Sequence, residues 1–149
     1  MCKNDLSWIR YSYLWCDTMA DNKKKSVKIL VVEDDEASRI IFGRFLDQMG
    51  FSNVVLAENG KAALDKLNLN PVDLIISDWR MPDMDGLEFY WTARNEGLLD
   101  KAPFLMVSAE SEKSRIVEAV KAGVSDYILK PVSFKTLQDK IEKLLNFQE

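Results

Sequence analysis

Histidine is missing from all 149 residues. No imidazole is therefore available to complete a zinc site, and the only two cysteines, Cys2 and Cys16, lack CxxC spacing. Neither a disulfide framework nor a metal knuckle is expected, and a reduced, cytoplasmic setting fits best. Long apolar runs are missing as well. None approaches the roughly 18 residues of a membrane span, and Arg10 interrupts the one N-terminal candidate for a signal segment. Positive charge is short where nucleic acid would demand it. Residues 1–26 carry a net +2 and the remainder −6, and so acidic a body is a poor binder of phosphate backbones.

What is present is enough apolar material, 47% of the chain, to bury one real core. The first 25 residues show no sustained period and end in a Lys run, so residues 1–25 read as an N-terminal extension, and 26–149 as the domain. Met19 heads "MADNKKKSVKILVV", an ordinary start, and residues 1–18 are expected to be dispensable. The alternative, that Trp8, Tyr11, Tyr13 and Trp15 dock on the domain or on a partner, stays open.

From Ser26 onward short β-branched runs alternate with helical spacing. Strands are expected at Val27–Val32, Asn53–Ala57, Asp73–Ser77, Phe104–Ser108 and Asp126–Leu129. Helices are expected at Ala37–Met49, Lys61–Leu69, Leu87–Glu96, Glu112–Ala122 and Phe134–Leu145, the first with apolar Ile40, Ile41, Phe45, Leu46 and Met49 and a stop at Gly50. Five such units imply an α/β fold: a doubly wound, five-stranded parallel sheet with helices on both faces. In these sheets the functional crevice lies beyond the carboxyl ends of the strands.

Two stretches converge on that edge. "ILVVEDDE" ends an apolar run on four acids, and "LIISDWRMPDMDG" ends another on Asp78. Glu33, Asp34, Asp35 and Asp78 would repel one another unless a cation intervened, and an all-oxygen donor set suits Mg²⁺. Lys130 adds a mobile positive charge and Ser108 a hydroxyl from a further strand. A carboxylate nucleophile, Mg²⁺, a lysine and a hydroxyl together make a phosphoryl-accepting site.

Four motifs, "ILVVEDDEASR", "DLIISDWRMPDMDGLEF", "FLMVSAES" and "AGVSDYILKP", stand in register: Asp34 to Asp78 is 44 positions, Asp78 to Ser108 is 30 and Asp78 to Lys130 is 52. On these motifs the chain from about Lys28 to Phe147 resembles the receiver domain of two-component response regulators, in particular the single-domain chemotaxis type. The resemblance implies that Asp78 is the phospho-acceptor, with Asp34 and Asp78 as Mg²⁺ ligands, Glu33 a ligand through water and the Arg80 backbone carbonyl a further one. It makes Ser108 the switch hydroxyl, Lys130 the phosphate-pairing lysine and Tyr127 the rotating aromatic. Residues matching Arg80 and Glu110 tune the phosphoryl lifetime in this family. The implied protein is a signalling domain, not an enzyme beyond its own phosphorylation and dephosphorylation. Because the chain lacks histidine, its donor is expected to be a sensor histidine kinase or a histidine phosphotransfer protein. No output domain is expected after the last helix, so the phosphorylated surface would act on a protein target, with no nucleic acid or membrane involved.

Singly, these residues have plainer readings. Asp34 and Asp35 could cap the first helix, Asp78 could belong to a turn, and Asp83 and Asp85 fit solvation and N-capping better than metal ligation. Tyr127 could be packing alone, and Trp91, on the polar side of its helix, could be a partner anchor or a tolerated surface residue. Two rival functions remain. A Mg²⁺-dependent phosphatase with an aspartate nucleophile generally wants a second aspartate two positions on, where this chain has Arg80. A flavodoxin-like small-ligand binder wants a Ser/Thr/Gly loop where this chain has Glu33-Asp34-Asp35-Glu36.

Overall fold

The computed structural model describes residues 22–109 and 113–146. Trp8, Tyr11, Tyr13, Trp15, Met19, both cysteines, Glu110 and Glu112 lie outside the described residues. Five strands and five helices alternate: β1 (Lys28–Val32), α1 (Glu36–Gln48), β2 (Asn53–Ala57), α2 (Gly60–Leu69), β3 (Leu74–Asp78), α3 (Gly86–Asn95), β4 (Phe104–Ser108), α4 (Lys113–Ala122), β5 (Asp126–Leu129) and α5 (Phe134–Leu145). All strands are parallel, in the order β2-β1-β3-β4-β5.

Burial follows that order. β3 and β4 are buried at every position and β1 at all but its first, whereas the edge strands β2 and β5 are partly exposed. Side chains alternate across the sheet with period two, and the core accordingly splits into two layers. Leu30, Ile75, Phe104 and Met106 pack beneath α2, α3 and α4 through Leu67, Phe89 and Ala119. Ile29, Val31, Leu105 and Val107 point the other way, onto Phe42 and Leu46 of α1 and Leu137 and Ile141 of α5.

Helix starts are set by side chains that accept otherwise orphaned N–H groups: Asp35 for α1, Asn59 for α2, Asp85 with Glu88 in a reciprocal capping box for α3, and Ser133 for α5. Gly50 ends α1 region with φ of 100°, as a C-terminal stop requires.

Three expectations need correction. Asp78 is the last residue of β3, not the residue after it. The buried stripe of α1 runs through Phe42 and Leu46, while Ile40 and Ile41 are exposed, because the α1 face turned to the sheet lies one position further on. Residues 22–26 are helical, and Lys24 Nζ donates to the Met49 carbonyl at 3.0 Å while lying 5.8 Å from the Phe51 ring centroid, so the end of the Lys run is attached to the body.

Candidate functional site

The site lies at the carboxyl edge of β1, β3, β4 and β5. Parallel register brings Asp78 opposite Val107 and Ser108 opposite Leu129, so the ends of three neighbouring strands line up. β5 is drawn against β4 at this edge by the Lys130 N–H donating to the Ser108 carbonyl at 2.8 Å.

Asp78 is 6% exposed and fully engaged on both oxygens. Oδ1 accepts from the Trp79 N–H at 2.8 Å, and Oδ2 accepts from Lys130 Nζ at 3.1 Å. The same ammonium reaches Glu33 Oε2 at 3.5 Å. Burial alone would lower the Lys130 ammonium, but its hydrogen bond and charge pairing with Asp78, and then with Glu33, hold it above the usual lysine range. Glu33 is more deeply buried, at 1% exposure. Loss of hydration, and next the negative charge of Asp78, push its carboxyl up to about 8 against the opposing pull of Lys130.

Asp34 is exposed and completes a triad with Glu33 and Asp78 whose ligand oxygens all lie within 4.8 Å of one another. Even with Glu33 protonated, the carboxylates of Asp34 and Asp78 outnumber the one Lys130 ammonium, and Glu33 Oε2 accepts no hydrogen bond among the described residues. All-oxygen donors with a surplus of negative charge fit a hard divalent cation. Asp34, the exposed member of the cluster, borders a hollow lined also by Trp79, Arg80, Met81, Pro82, Asp85 and Arg115. Asp35 stays out of it. Its carboxylate accepts from the Ser38 hydroxyl at 2.8 Å and the Ser38 N–H at 2.9 Å, and these bonds hold it below the usual carboxylate range. Asp85 is likewise a cap, and Asp83 occupies a turn with φ of 69°.

Ser108 is 1% exposed, and its hydroxyl has no hydrogen-bond partner among the described residues. Tyr127, on β5, is half-buried against the α2–α4 layer, with Lys140 Nζ 5.7 Å from its ring centroid and bonded at 2.9 Å to Asp126.

The family profile described as the response regulator receiver domain matches residues 29–142. The chain belongs to that family. As a receiver it is 38% identical over 118 residues to the chemotaxis protein CheY of Pseudomonas aeruginosa, a match covering 79% of this chain and 95% of that protein. It is also 38% identical over 120 residues to the chemotaxis protein CheY-3 of Vibrio cholerae, covering 80% and 92%. Among solved structures, the receiver resembles Vibrio cholerae CheY4 with a TM-score of 0.74 at 30% identity, over 80% of this chain and 98% of that one. The Francisella response regulator 1452 receiver domain matches with the same TM-score at 28% identity, over 83% and 100%.

Several residues that shape this receiver's site escaped the sequence reading. Gly86 is one: its N–H donates to the Trp79 carbonyl at 2.7 Å, and a Cβ there would collide with the Asp78 carbonyl and the Met106 sulfur. Its place at the end of a Pro- and Asp-rich turn was the available signal. Arg115, on α4, lines the hollow beside Asp34, and Arg39, on α1, grips the loop carrying Glu33 and Asp34. Arg115 lies on a helix away from the acidic motifs, and Arg39, although it closes the "ILVVEDDEASR" motif, has no local pattern that marks it as a support for the loop.

Proposed function

We propose that this receiver accepts a phosphoryl group on Asp78 from the phosphohistidine of a sensor histidine kinase or histidine phosphotransfer protein. The reaction is Mg²⁺-dependent, and the signal leaves through the surface of α4, β5 and α5 to a protein target in the cytoplasm. One juxtaposition carries the reading: a buried Asp78 held by Lys130, beside a buried Ser108 hydroxyl with no partner among the described residues. Leaving a buried hydroxyl unsatisfied costs ~1–3 kcal/mol. Phosphoryl oxygens on Asp78 would supply the acceptor that Ser108 lacks.

In the transfer a carboxylate oxygen of Asp78 attacks phosphorus in line. The new O–P bond forms as the P–N bond to the donor imidazole breaks, and the leaving nitrogen keeps the electron pair and takes up a proton. Mg²⁺, held by Asp34, Asp78 and the Arg80 backbone carbonyl with Glu33 acting through water, supplies charge neutralisation when bound. Lys130, already 3.1 Å from Asp78 Oδ2, pairs with the new oxyanion, and Ser108 donates to another phosphoryl oxygen. Drawing the Ser108 loop inward opens space beside β4, into which half-buried Tyr127 turns; the output surface changes with it. The chain promotes only its own phosphorylation and dephosphorylation, with no separate substrate.

Mass spectrometry after treatment with acetyl phosphate and Mg²⁺ tests the reading. The adduct should sit on Asp78 and vanish in Asp78→Asn. Retention of the adduct in that variant refutes the assignment.

A further inference from the structure

We propose that Arg39 is a positioning residue for the metal site: its guanidinium holds the loop between β1 and α1 so that Glu33 and Asp34 present their carboxylates together. This rests on the reading of Glu33, Asp34 and Asp78 as a Mg²⁺ site. The geometry is specific to those two residues. Arg39 Nη1 donates to the Glu33 carbonyl at 2.8 Å and, more loosely, to the Asp34 carbonyl at 3.4 Å. At the preceding peptide, the Glu33 N–H donates to the Ala57 carbonyl of β2 at 3.0 Å, so Glu33 is held through both of its main-chain polar groups. Arg39 is itself anchored in the first turn of α1, where its N–H donates to the Asp35 carbonyl at 2.9 Å.

The physical need follows from the crowding already described. Carboxylates whose oxygens lie within 4.8 Å repel one another, and the exposed Asp34 side chain could relieve that repulsion by swinging its loop outward before a cation arrives. A permanently charged guanidinium gripping the carbonyls behind the loop resists the swing. It does so without occupying the carboxylate oxygens that face the cation. A neutral donor could fill the same hydrogen bonds, but more weakly, since bonds to an ionised group are about twice as strong. Groups that orient metal ligands from behind typically contribute about 10- to 100-fold in metal affinity.

The test is a titration with Mg²⁺ alone, followed by tryptophan fluorescence through buried Trp79, in the parent chain and in Arg39→Ala, Arg39→Lys and Asp34→Ala. Arg39→Ala should weaken Mg²⁺ about tenfold, Arg39→Lys should recover part of the loss, and Asp34→Ala should remove the response. The rise in melting temperature produced by Mg²⁺ should shrink in Arg39→Ala, whatever its metal-free melting temperature. A merely structural residue would lower the metal-free value and leave the Mg²⁺ affinity alone. Parent-like affinity in Arg39→Ala, with the response lost in Asp34→Ala, overturns the role of Arg39 and leaves the metal site standing. Parent-like affinity in Asp34→Ala overturns the metal site and the role of Arg39 with it. Should Arg39→Ala fail to fold, Arg39→Met, which keeps the aliphatic stem and has no donor, decides on the same terms.

Discussion

The loops after β1 and β3 are built to one plan. Each begins beside a buried carboxylate, Glu33 just past the end of β1 and Asp78 as the last residue of β3, and each hands over to its helix through a capping aspartate, Asp35 or Asp85. The difference lies in the partners. Asp78 has a lysine at 3.1 Å and a backbone N–H at 2.8 Å, whereas Glu33 has the same lysine only at 3.5 Å and a backbone N–H at 3.3 Å. Two aspartates that look alike in sequence thus divide between chemistry and helix capping, and two buried acids divide again by how well each is compensated. On the proposed reading the well-held carboxylate is the one poised to react, and the poorly held one keeps its proton until a cation takes the proton's place.

The sharpest way to break this comparison is to remove one buried acid. Asp78→Asn keeps the size and the hydrogen bond to Trp79 but has no nucleophilic carboxylate, so phosphorylation by acetyl phosphate should fall to background while the melting curve stays cooperative. Labelling of Asp78→Asn at even a tenth of the parent rate would mean that another acid at this edge can take its place.

Ser108→Ala removes the orphaned hydroxyl and should separate modification from signalling. Asp78 should still be labelled, but the gain in partner affinity produced by beryllofluoride, a phosphoryl mimic, should disappear. In the parent that gain is expected to be about 5- to 150-fold. Full retention of the gain in Ser108→Ala, measured by calorimetry with a cognate target, would show that the signal travels by another route.

The poorly held carboxylate makes its own prediction through pH. Glu33 keeps its proton in the folded state up to about 8, against 4.5 as its ordinary value. Its contribution to metal-free stability is therefore complete below 4.5 and is lost as pH rises through 8. Melting temperature in chelator should decline across that window, and Glu33→Gln should flatten the decline. Because a cation favours the ionised carboxylate, Mg²⁺ should raise the parent's melting temperature more at pH 9 than at pH 6. An equal rise at both would mean that Glu33 is not titrating at the site.

Most of this arrangement was legible in sequence because it rests on periodicity and on strand ends. β-branched runs and helical spacing located the ten alternating elements from β1 to α5, though not the helical residues 22–26, and the rule that parallel sheets work at their carboxyl edge placed Asp34, Asp78, Ser108 and Lys130 at one edge in advance. The remainder depends on contacts that leave no periodic trace. The division of labour between Asp34 and Asp35 is set by which one meets the Ser38 N–H. The grip of Arg39 on two carbonyls six and five positions back involves backbone acceptors, which every residue has. The partial burial of Tyr127 under Lys140 requires α5 to lie against β5, a packing decision that neither segment states alone.

The smallest expected effects test the capping half of the comparison. If Asp35 and Asp85 serve only their helices, each exchange for alanine should lower stability by ~1 kcal/mol, since one N–H in the first helical turn loses its acceptor. That corresponds to a few degrees in melting temperature for a domain of this size. Asp85→Ala should cost slightly more than Asp35→Ala, because it also dismantles the reciprocal bond in which the Asp85 N–H donates to Glu88 at 3.4 Å. Neither should change the labelling of Asp78 or the Mg²⁺ titration, although Asp35 lies one residue from Asp34 and Asp85 lines the hollow that Asp34 borders. The informative failure is asymmetric. If Asp35→Ala weakened Mg²⁺ tenfold while Asp85→Ala did not, the first turn of α1 would be holding the metal loop in place as Arg39 does, and capping there would be part of the site. If both left Mg²⁺ unchanged, each loop would contain one acid for structure and one for chemistry, separable by a single substitution.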